Sequence, residues 1–423
     1  MHISLIPIGS RGDVQPFVAL GLALKSAGHA VRVATHARFA DFVRSFNLDY
    51  LQIGGDPQQI LTDLEPRMTS RNPFESVPAI LEVLSQLITP TLAGVVSAFA
   101  GSDLVIASYP ALFAALDLSE QQRVPLVLAS LYPVSPTQHA SNLLFSPLPQ
   151  WLPSSFQRAY HRFSHRAGED LIFRMVSGKV NAARAAQFGW PPCPEPPIRT
   201  VHKRRLPILY AFDRTLIPEP PDWPDHVHIT GFWFLDSEPH WQPPAELSAF
   251  LDAGPPPLYA GFGSLAGAQA DAAMQKLTMA LVRRRQRAIL SCRVAPGIGG
   301  PLPDHILRIG TVPYSWLFPR LAGVIHHGGV GTVADALRAG IPMGIITYSV
   351  EQAFWARAAH RLGITPKALS ARSLSAHALD ELVEKVATDP DLRASAKAQR
   401  PVVCAEPGVA QAVKLIESWL PRR

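Results

Sequence analysis

Cysteine is scarce in this chain: only Cys193, Cys292 and Cys404 occur among 423 residues. They stand far apart with no ligand-like spacing, which excludes a disulfide framework and a cysteine metal site and fits a reducing compartment. Charge is sparse as well, 17% of residues against 47% hydrophobic, and that balance excludes a disordered chain. The net charge of +6 is thinly spread, with local clusters at 202–205 and 283–287. Nucleic-acid binding would need a continuous basic stripe or stacking aromatics, and neither is present. Weak peripheral contact with a membrane stays open. No apolar run reaches membrane-span length, because the longest, around 79–100, is broken by Glu82, Gln86 and Pro90. The N-terminus lacks the basic start and apolar core of a signal peptide, so a cytoplasmic protein is expected. There is no fixed-period repeat and no metal-binding aspartate motif. His161 and His165 share a helical face, but no third ligand has suitable spacing, so no metal is predicted. The first glycine turn, Gly9-Ser-Arg-Gly-Asp13, is not a Gly-x-Gly-x-x-Gly fingerprint, which argues against a dinucleotide dehydrogenase.

What is present points to two α/β domains, the default for a chain too long for one typical core. Residues 2–8 suit a buried parallel strand, 14–27 carry helical periodicity, and 30–35 suit a second strand, together one βαβ unit. The most informative stretch is 322–342. It reads as a buried strand over 323–326, a glycine-rich turn, and a short helix closed by Gly340 with Pro342 just beyond. Gly328, Gly329 and Gly331 allow a tight turn and close approach of a ligand to the helix N-terminus, whose free N–H groups favour an anion. His327 and Thr332 add side-chain donors, so the stretch is read as a diphosphate cradle. Asp13 has two readings from spacing alone: an N-cap of the helix that follows, with Pro16 in its first turn, or a general base at the end of a first strand. A capped carboxylate has its oxygens occupied, so the two roles compete.

Four stretches, 9–16, 221–236, 254–264 and 325–354, together resemble the GT-B nucleotide-sugar glycosyltransferases of glycosyltransferase family 1. The likeness is greatest to sterol 3-beta-glucosyltransferases and glycopeptide-antibiotic glycosyltransferases. It implies two Rossmann-like, doubly wound domains facing an interdomain cleft. An acceptor-binding domain spans 1–235, a linker 236–245 and a nucleotide-sugar domain 246–405, and a C-terminal helix over 406–423 crosses back to the first domain. By the same resemblance Asp13 is the base, and Ser10, Arg11 and Gly12 reach the donor phosphates from the N-terminal side. Ser264, His327, Thr332 and the glycine loop hold the diphosphate, and Val312 backbone atoms read the pyrimidine. Glu351 and Gln352 bind sugar hydroxyls, a task suited to a carboxylate beside a carboxamide. The family usually has aspartate where this chain has Glu351, which leaves the sugar open.

The function implied is transfer of a hexose, glucose from UDP-glucose, to a hydroxyl of a hydrophobic acceptor such as a sterol or macrolide. Transfer is by a single inverting displacement that needs no metal. Aromatic and apolar residues within 113–189, including Phe156, Tyr160, Phe163, Phe173 and Met175, are expected either to line the acceptor pocket or to pack a core. The alternatives are a dTDP-sugar donor with a glycopeptide or lipid acceptor, a nucleotide-sugar epimerase on the same fold, and a non-catalytic binding protein. A monomer or weak dimer is expected.

Overall fold

The computed structural model describes residues 1–56, 73–149, 151–236, 241–263, 267–292 and 301–420, with backbone alone for 73–85. The chain divides into two compact units: Met1–Arg214 with Pro218–Phe234 and Pro407–Arg423, and Thr215–Ile217 with Leu235–Glu406.

The first unit runs β1 (His2–Ile6), α1 (Arg11–Ser26), β2 (Ala30–His36), α2 (Ala40–Ser45), β3 (Asp49–Ile53), α3 (Pro73–Phe99), β4 (Leu104–Ala107), α4 (Leu112–Gln122), β5 (Leu126–Ser130), α5 (Ser154–Phe188), α6 (Pro197–Lys203), β6 (Ile208–Tyr210) and β7 (Val227–Ile229). Its sheet is parallel throughout, in the order β3-β2-β1-β4-β5-β6-β7. The central strands are continuous apolar runs because helices cover both faces; β1, β4 and β5 are buried along almost their whole length. Helix α1 buries Phe17, Val18, Leu20 and Leu24, and Gly21 faces Leu5 and Leu48 so closely that a Cβ there would lie 3.1 to 3.2 Å from them.

The second unit runs α7 (Ala245–Asp252), β8 (Leu258–Gly261), α8 (Ala268–Arg283), β9 (Ala288–Ser291), β10 (Ile306–Ile309), α9 (Tyr314–Leu317), β11 (Gly323–His326), α10 (Val330–Ala339), β12 (Met343–Thr347), α11 (Val350–Arg361), β13 (Leu369–Ser370), α12 (Ala376–Thr388) and α13 (Pro390–Ala405). Its parallel sheet has the order β10-β9-β8-β11-β12-β13. Leu258, Ala260, Ile325 and Ile346 from the sheet pack with Leu277 and Leu281 of α8 and Leu379 and Val383 of α12. The last helix, α14 (Val409–Trp419), belongs to the first unit, where it packs on α1.

In both sheets the strand order reverses once, between β1 and β4 and between β8 and β11. Open α/β sheets bind ligands at the carboxyl ends of the strands beside such a reversal. Residues 9–13 follow β1, Gly263 follows β8 and the 327–332 turn follows β11, so each unit presents its glycine turns at that position.

Candidate active site

Asp13 is the third residue of α1, and Ser10, not Asp13, is the N-cap. One oxygen, Oδ2, accepts both the Ser10 N–H at 2.6 Å and the Ser10 hydroxyl at 2.9 Å. The cap reading of Asp13 is therefore corrected in position: the carboxylate reaches back to the cap residue, the helix starts three residues earlier, and Pro16 falls in its second turn. Gly9 makes this possible. Its φ is +144°, and a Cβ there would lie 2.3 Å from Asp13 Oδ2. Burial raises the Asp13 pKa above the ordinary carboxylate value, while the Ser10 bonds and the charge of Arg38 pull it back. Arg38 is itself paired with Asp56 at 3.5 Å. Asp13 lines a small surface concavity with Phe17, Ser108, Tyr109, Pro110, Leu131 and Tyr132. Arg11 is exposed, its guanidinium 3.9 Å from the Phe42 ring centroid, and Gly12 is exposed beside it.

In the second unit, α10 begins at Val330 with Gly329 as N-cap and no side-chain cap, and it ends on Gly340 at φ +71°. An uncapped start leaves the first-turn N–H groups without intrahelical partners. Gly331 faces open space, since a Cβ there meets nothing within 4 Å. The His327 ring lies between two glycines: a Cβ on Gly263 would come 3.2 Å from its Cε1, and one on Gly329 2.6 Å from its Nε2. His327 Nδ1 is buried without a hydrogen-bond partner, and burial lowers the ring's pKa to about 4, so the imidazole is neutral at pH 7. An uncapped helix start, an unpartnered imidazole nitrogen and open room at Gly331 suit an anionic ligand.

Gly328 differs from its expected part. Its N–H donates to Nδ1 of the fully buried His326 at 3.1 Å, so that donor is turned inward and holds the loop. Gln352 is likewise partly committed. Its Oε1 accepts the N–H groups of Tyr348 (2.7 Å) and Ser349 (3.2 Å), and Ser349 Oγ accepts its N–H, a capping box at the start of α11. Glu351 Oε1 accepts Trp355 Nε1–H at 3.3 Å. The backbone of Gln352 abuts the glycine turn, since a Cβ on Gly328 would sit 3.2 Å from its carbonyl oxygen. Val312 is buried between β10 and α9, Thr332 is buried in the first turn of α10, and Ser264 lies outside the described residues.

Two contributors escape the sequence reading, Arg38 and His326, and Gly9 enters it only as part of the 9–13 turn. Asp335 lies one turn beyond Thr332 on α10, and burial raises its pKa to about 7. His161 Nδ1 and His165 Nε2 bond the carbonyls of Gln138 and Ala140 at 2.8 and 3.1 Å, a packing role. Among the described residues no group of three or more metal-ligating side chains forms. No described helix is long and apolar enough to cross a membrane.

Residues 3–140 match the glycosyltransferase family 28 N-terminal domain, and residues 289–418 match the erythromycin biosynthesis protein CIII-like C-terminal domain. The chain is 32% identical to O-mycaminosyltylonolide 6-deoxyallosyltransferase of Streptomyces fradiae, over all of this chain and 98% of that protein. The chain belongs to the GT-B glycosyltransferases. Membership makes it an enzyme that draws on a nucleotide-sugar donor. It is also 30% identical to a sterol 3-beta-glucosyltransferase of Arabidopsis thaliana, across all of this chain but 66% of that protein. The chain spans under a third of the sterol 3-beta-glucosyltransferase of Candida albicans, 28% of its length, at 30% identity. Two solved glycosyltransferases share the fold: the glycotransferase of kitacinnamycin, with a TM-score of 0.66 at 18% identity, and the Streptomyces sp. SF2575 glycosyltransferase complexed with thymidine diphosphate, with 0.63 at 20%. Each covers 99% of both chains.

Proposed function

We propose that this GT-B enzyme moves a hexose, glucose from UDP-glucose, to a hydroxyl of a hydrophobic acceptor of the sterol or macrolide class. The observation that carries the proposal is Asp13, a carboxylate on the wall of a concavity lined mostly by apolar and aromatic residues, Phe17, Tyr109, Pro110, Leu131 and Tyr132, together with Ser108 and Ser130. A carboxylate facing apolar walls suits an acceptor that is hydrophobic apart from one reacting hydroxyl. The sterol and macrolide enzymes among the relatives support the same class.

In the proposed reaction Asp13 takes the acceptor's hydroxyl proton as that oxygen attacks the anomeric carbon. The bond from that carbon to the diphosphate oxygen breaks, its electron pair leaves with the nucleoside diphosphate, and the configuration inverts. His327 and the first-turn N–H groups of α10 stabilise the charge that builds on the leaving group, so no metal ion is called for. Arg11, Gly12, Ser264 and Thr332 contribute further phosphate contacts, joined by Ser10 when its hydroxyl turns from Asp13 to the ligand, Val312 the base contact, and Glu351 with the Gln352 carboxamide nitrogen the sugar contacts. Asp335, a carboxylate on the cradle helix, is suited to accepting hydroxyl donors from the same ligand. A monomeric or weakly dimeric cytoplasmic enzyme completes the reading.

The test is a mass-spectrometric transfer assay crossing UDP-glucose, UDP-galactose and dTDP-glucose with sterols, macrolides, flavonoids and glycopeptide aglycones. Wild type should add one hexose from a UDP-sugar to a sterol or macrolide, and Asp13→Asn should lose about 100- to 10,000-fold in kcat. A near wild-type rate in Asp13→Asn would remove Asp13 as base. Transfer only from dTDP-glucose would replace the donor, and sugar interconversion without any acceptor would replace the reaction with epimerisation.

A further inference from the structure

Helix α5 inverts the usual pattern of a surface helix. Over its first half the inward side is largely polar: His161, Ser164, His165 and Glu169 are buried, with bonds from the first three to the carbonyls of 138 and 140 and to the N–H of Asn142. Its outward side is apolar. Phe156 is 56% exposed, Phe163 62% and Leu171 52%, and Trp151, just before the helix, is 81% exposed. Phe156, Phe163 and Leu171 fall on one stripe at helical spacing, with Tyr160 between them. None of the helix's aromatic residues lines the concavity that Asp13 faces.

Charge along the same helix has one sign. Arg158, Arg162 and Arg166 recur every four residues on an exposed flank, and Arg174 and Lys179 further along the helix are also exposed. The only carboxylates on α5, Glu169 and Asp170, are both bridged to Arg199, at 2.7 and 2.9 Å. Several basic residues of the 202–205 and 283–287 clusters are paired. Lys203 pairs with Glu195, Arg204 with Glu120, Arg205 with Asp225, Arg283 with Asp380 and Arg284 with Glu384. None of Arg158, Arg162 and Arg166 forms such a pair among the described residues.

We propose that the outer face of α5, with Trp151, docks this enzyme on an anionic membrane surface. The helix would lie in the plane of the interface, its aromatic stripe at headgroup depth and its arginine row on the lipid phosphates. Tryptophan and phenylalanine beside arginines without an ion-pair partner among the described residues fit that environment on both the apolar and the electrostatic side. Glu169, which feels the charge of Arg166, is bridged to Arg199. A protein partner would have to supply a matching acidic, apolar face, whereas an anionic bilayer has both everywhere on its surface. The inference stands on this face alone and does not depend on which acceptor the enzyme uses.

The experiment is vesicle flotation of the full chain with phosphatidylcholine vesicles, pure or containing about one third phosphatidylglycerol. Binding is expected to the anionic vesicles and to weaken with added salt. A triple variant, Arg158→Gln with Arg162→Gln and Arg166→Gln, should lower the partition constant on the order of a hundredfold. Phe156→Ser with Phe163→Ser should lower it at least about tenfold. Both variants change exposed side chains, and unchanged melting temperatures would show that they are folded. The idea fails if the wild type ignores anionic vesicles or if the folded triple variant floats as well as wild type. Sedimentation that reveals a self-association abolished by Phe163→Ser, without vesicle binding, would assign the face to a second protein chain instead.

Discussion

A single neutral histidine sits where the leaving group's charge is expected. Burial holds His327 near a pKa of about 4, so at pH 7 it offers one N–H and no positive charge. His327→Ala should lower kcat about 100- to 1,000-fold, the usual cost of one preorganised donor, measured in steady-state kinetics. The base has its own pH signature. As the proposed base Asp13 works ionised, so the rate is expected to fall as pH drops through its raised pKa. Arg38 pulls that pKa down, and Arg38→Gln should move the acid limb of the kcat/KM profile to higher pH. An acid limb that does not move would separate Arg38 from the base. Asp335 acts on stability. Its folded pKa, raised to about 7 by burial, means the folded protein holds the proton more tightly than the unfolded chain does. Its contribution is fully favourable below the ordinary carboxylate pKa of 3.8 and is lost as pH rises through about 7. Thermal melts of Asp335→Asn should therefore gain on wild type at pH 8 relative to pH 5.

Among the elements, β11 and α10 were legible because their punctuation is local. A short buried run with Val324 and Ile325 at its centre, a glycine turn and a C-terminal glycine each carry their own conformational preference, and the strand over 323–326 and the stop at Gly340 match. Helix α1 was legible in its apolar face and misread at its start, since Asp13 favours a cap position and only the side-chain bond back to Ser10 moves the cap. Helix α5 was the least legible. The inward residues of its first half are largely polar and are satisfied by the 138–142 loop and by Arg199, so the apolar periodicity there marks the outer face and reads as a pocket or core. Helix α11 offers the cleanest test of local chemistry. Ser349→Ala removes the acceptor for the Gln352 N–H and should cost about 1 kcal/mol in urea unfolding. It should also weaken donor binding, because Gln352 abuts the glycine turn.

Across the whole molecule, the residues of the proposed reaction are divided between the two units. Ser10, Arg11, Gly12 and Asp13 belong to the first, and Val312, the 327–332 turn, Glu351 and Gln352 to the second. Calorimetric titration with UDP should therefore separate the variants. Asp13→Asn should keep wild-type affinity, while His327→Ala should lose about tenfold or more, the loss of one hydrogen bond to a charged group. Equal losses in both would mean that the base also contacts the nucleotide.

The sequence by itself determined the elements and the chemical inventory. Apolar runs bounded by glycine turns specify parallel strands feeding helices, and the motifs at 9–16 and 325–354 specify which turns carry donors and a carboxylate. Those preferences act over a few residues and survive without a fold. Tertiary structure alone decided the state of each group. Whether Gly328 offers its N–H outward depends on His326, and whether Asp13 has a neighbouring cation depends on Arg38. Whether the apolar side of α5 faces in or out depends on a loop at 138–142. Each is a contact between residues remote in sequence or a burial that many elements create together, so no local pattern encodes it.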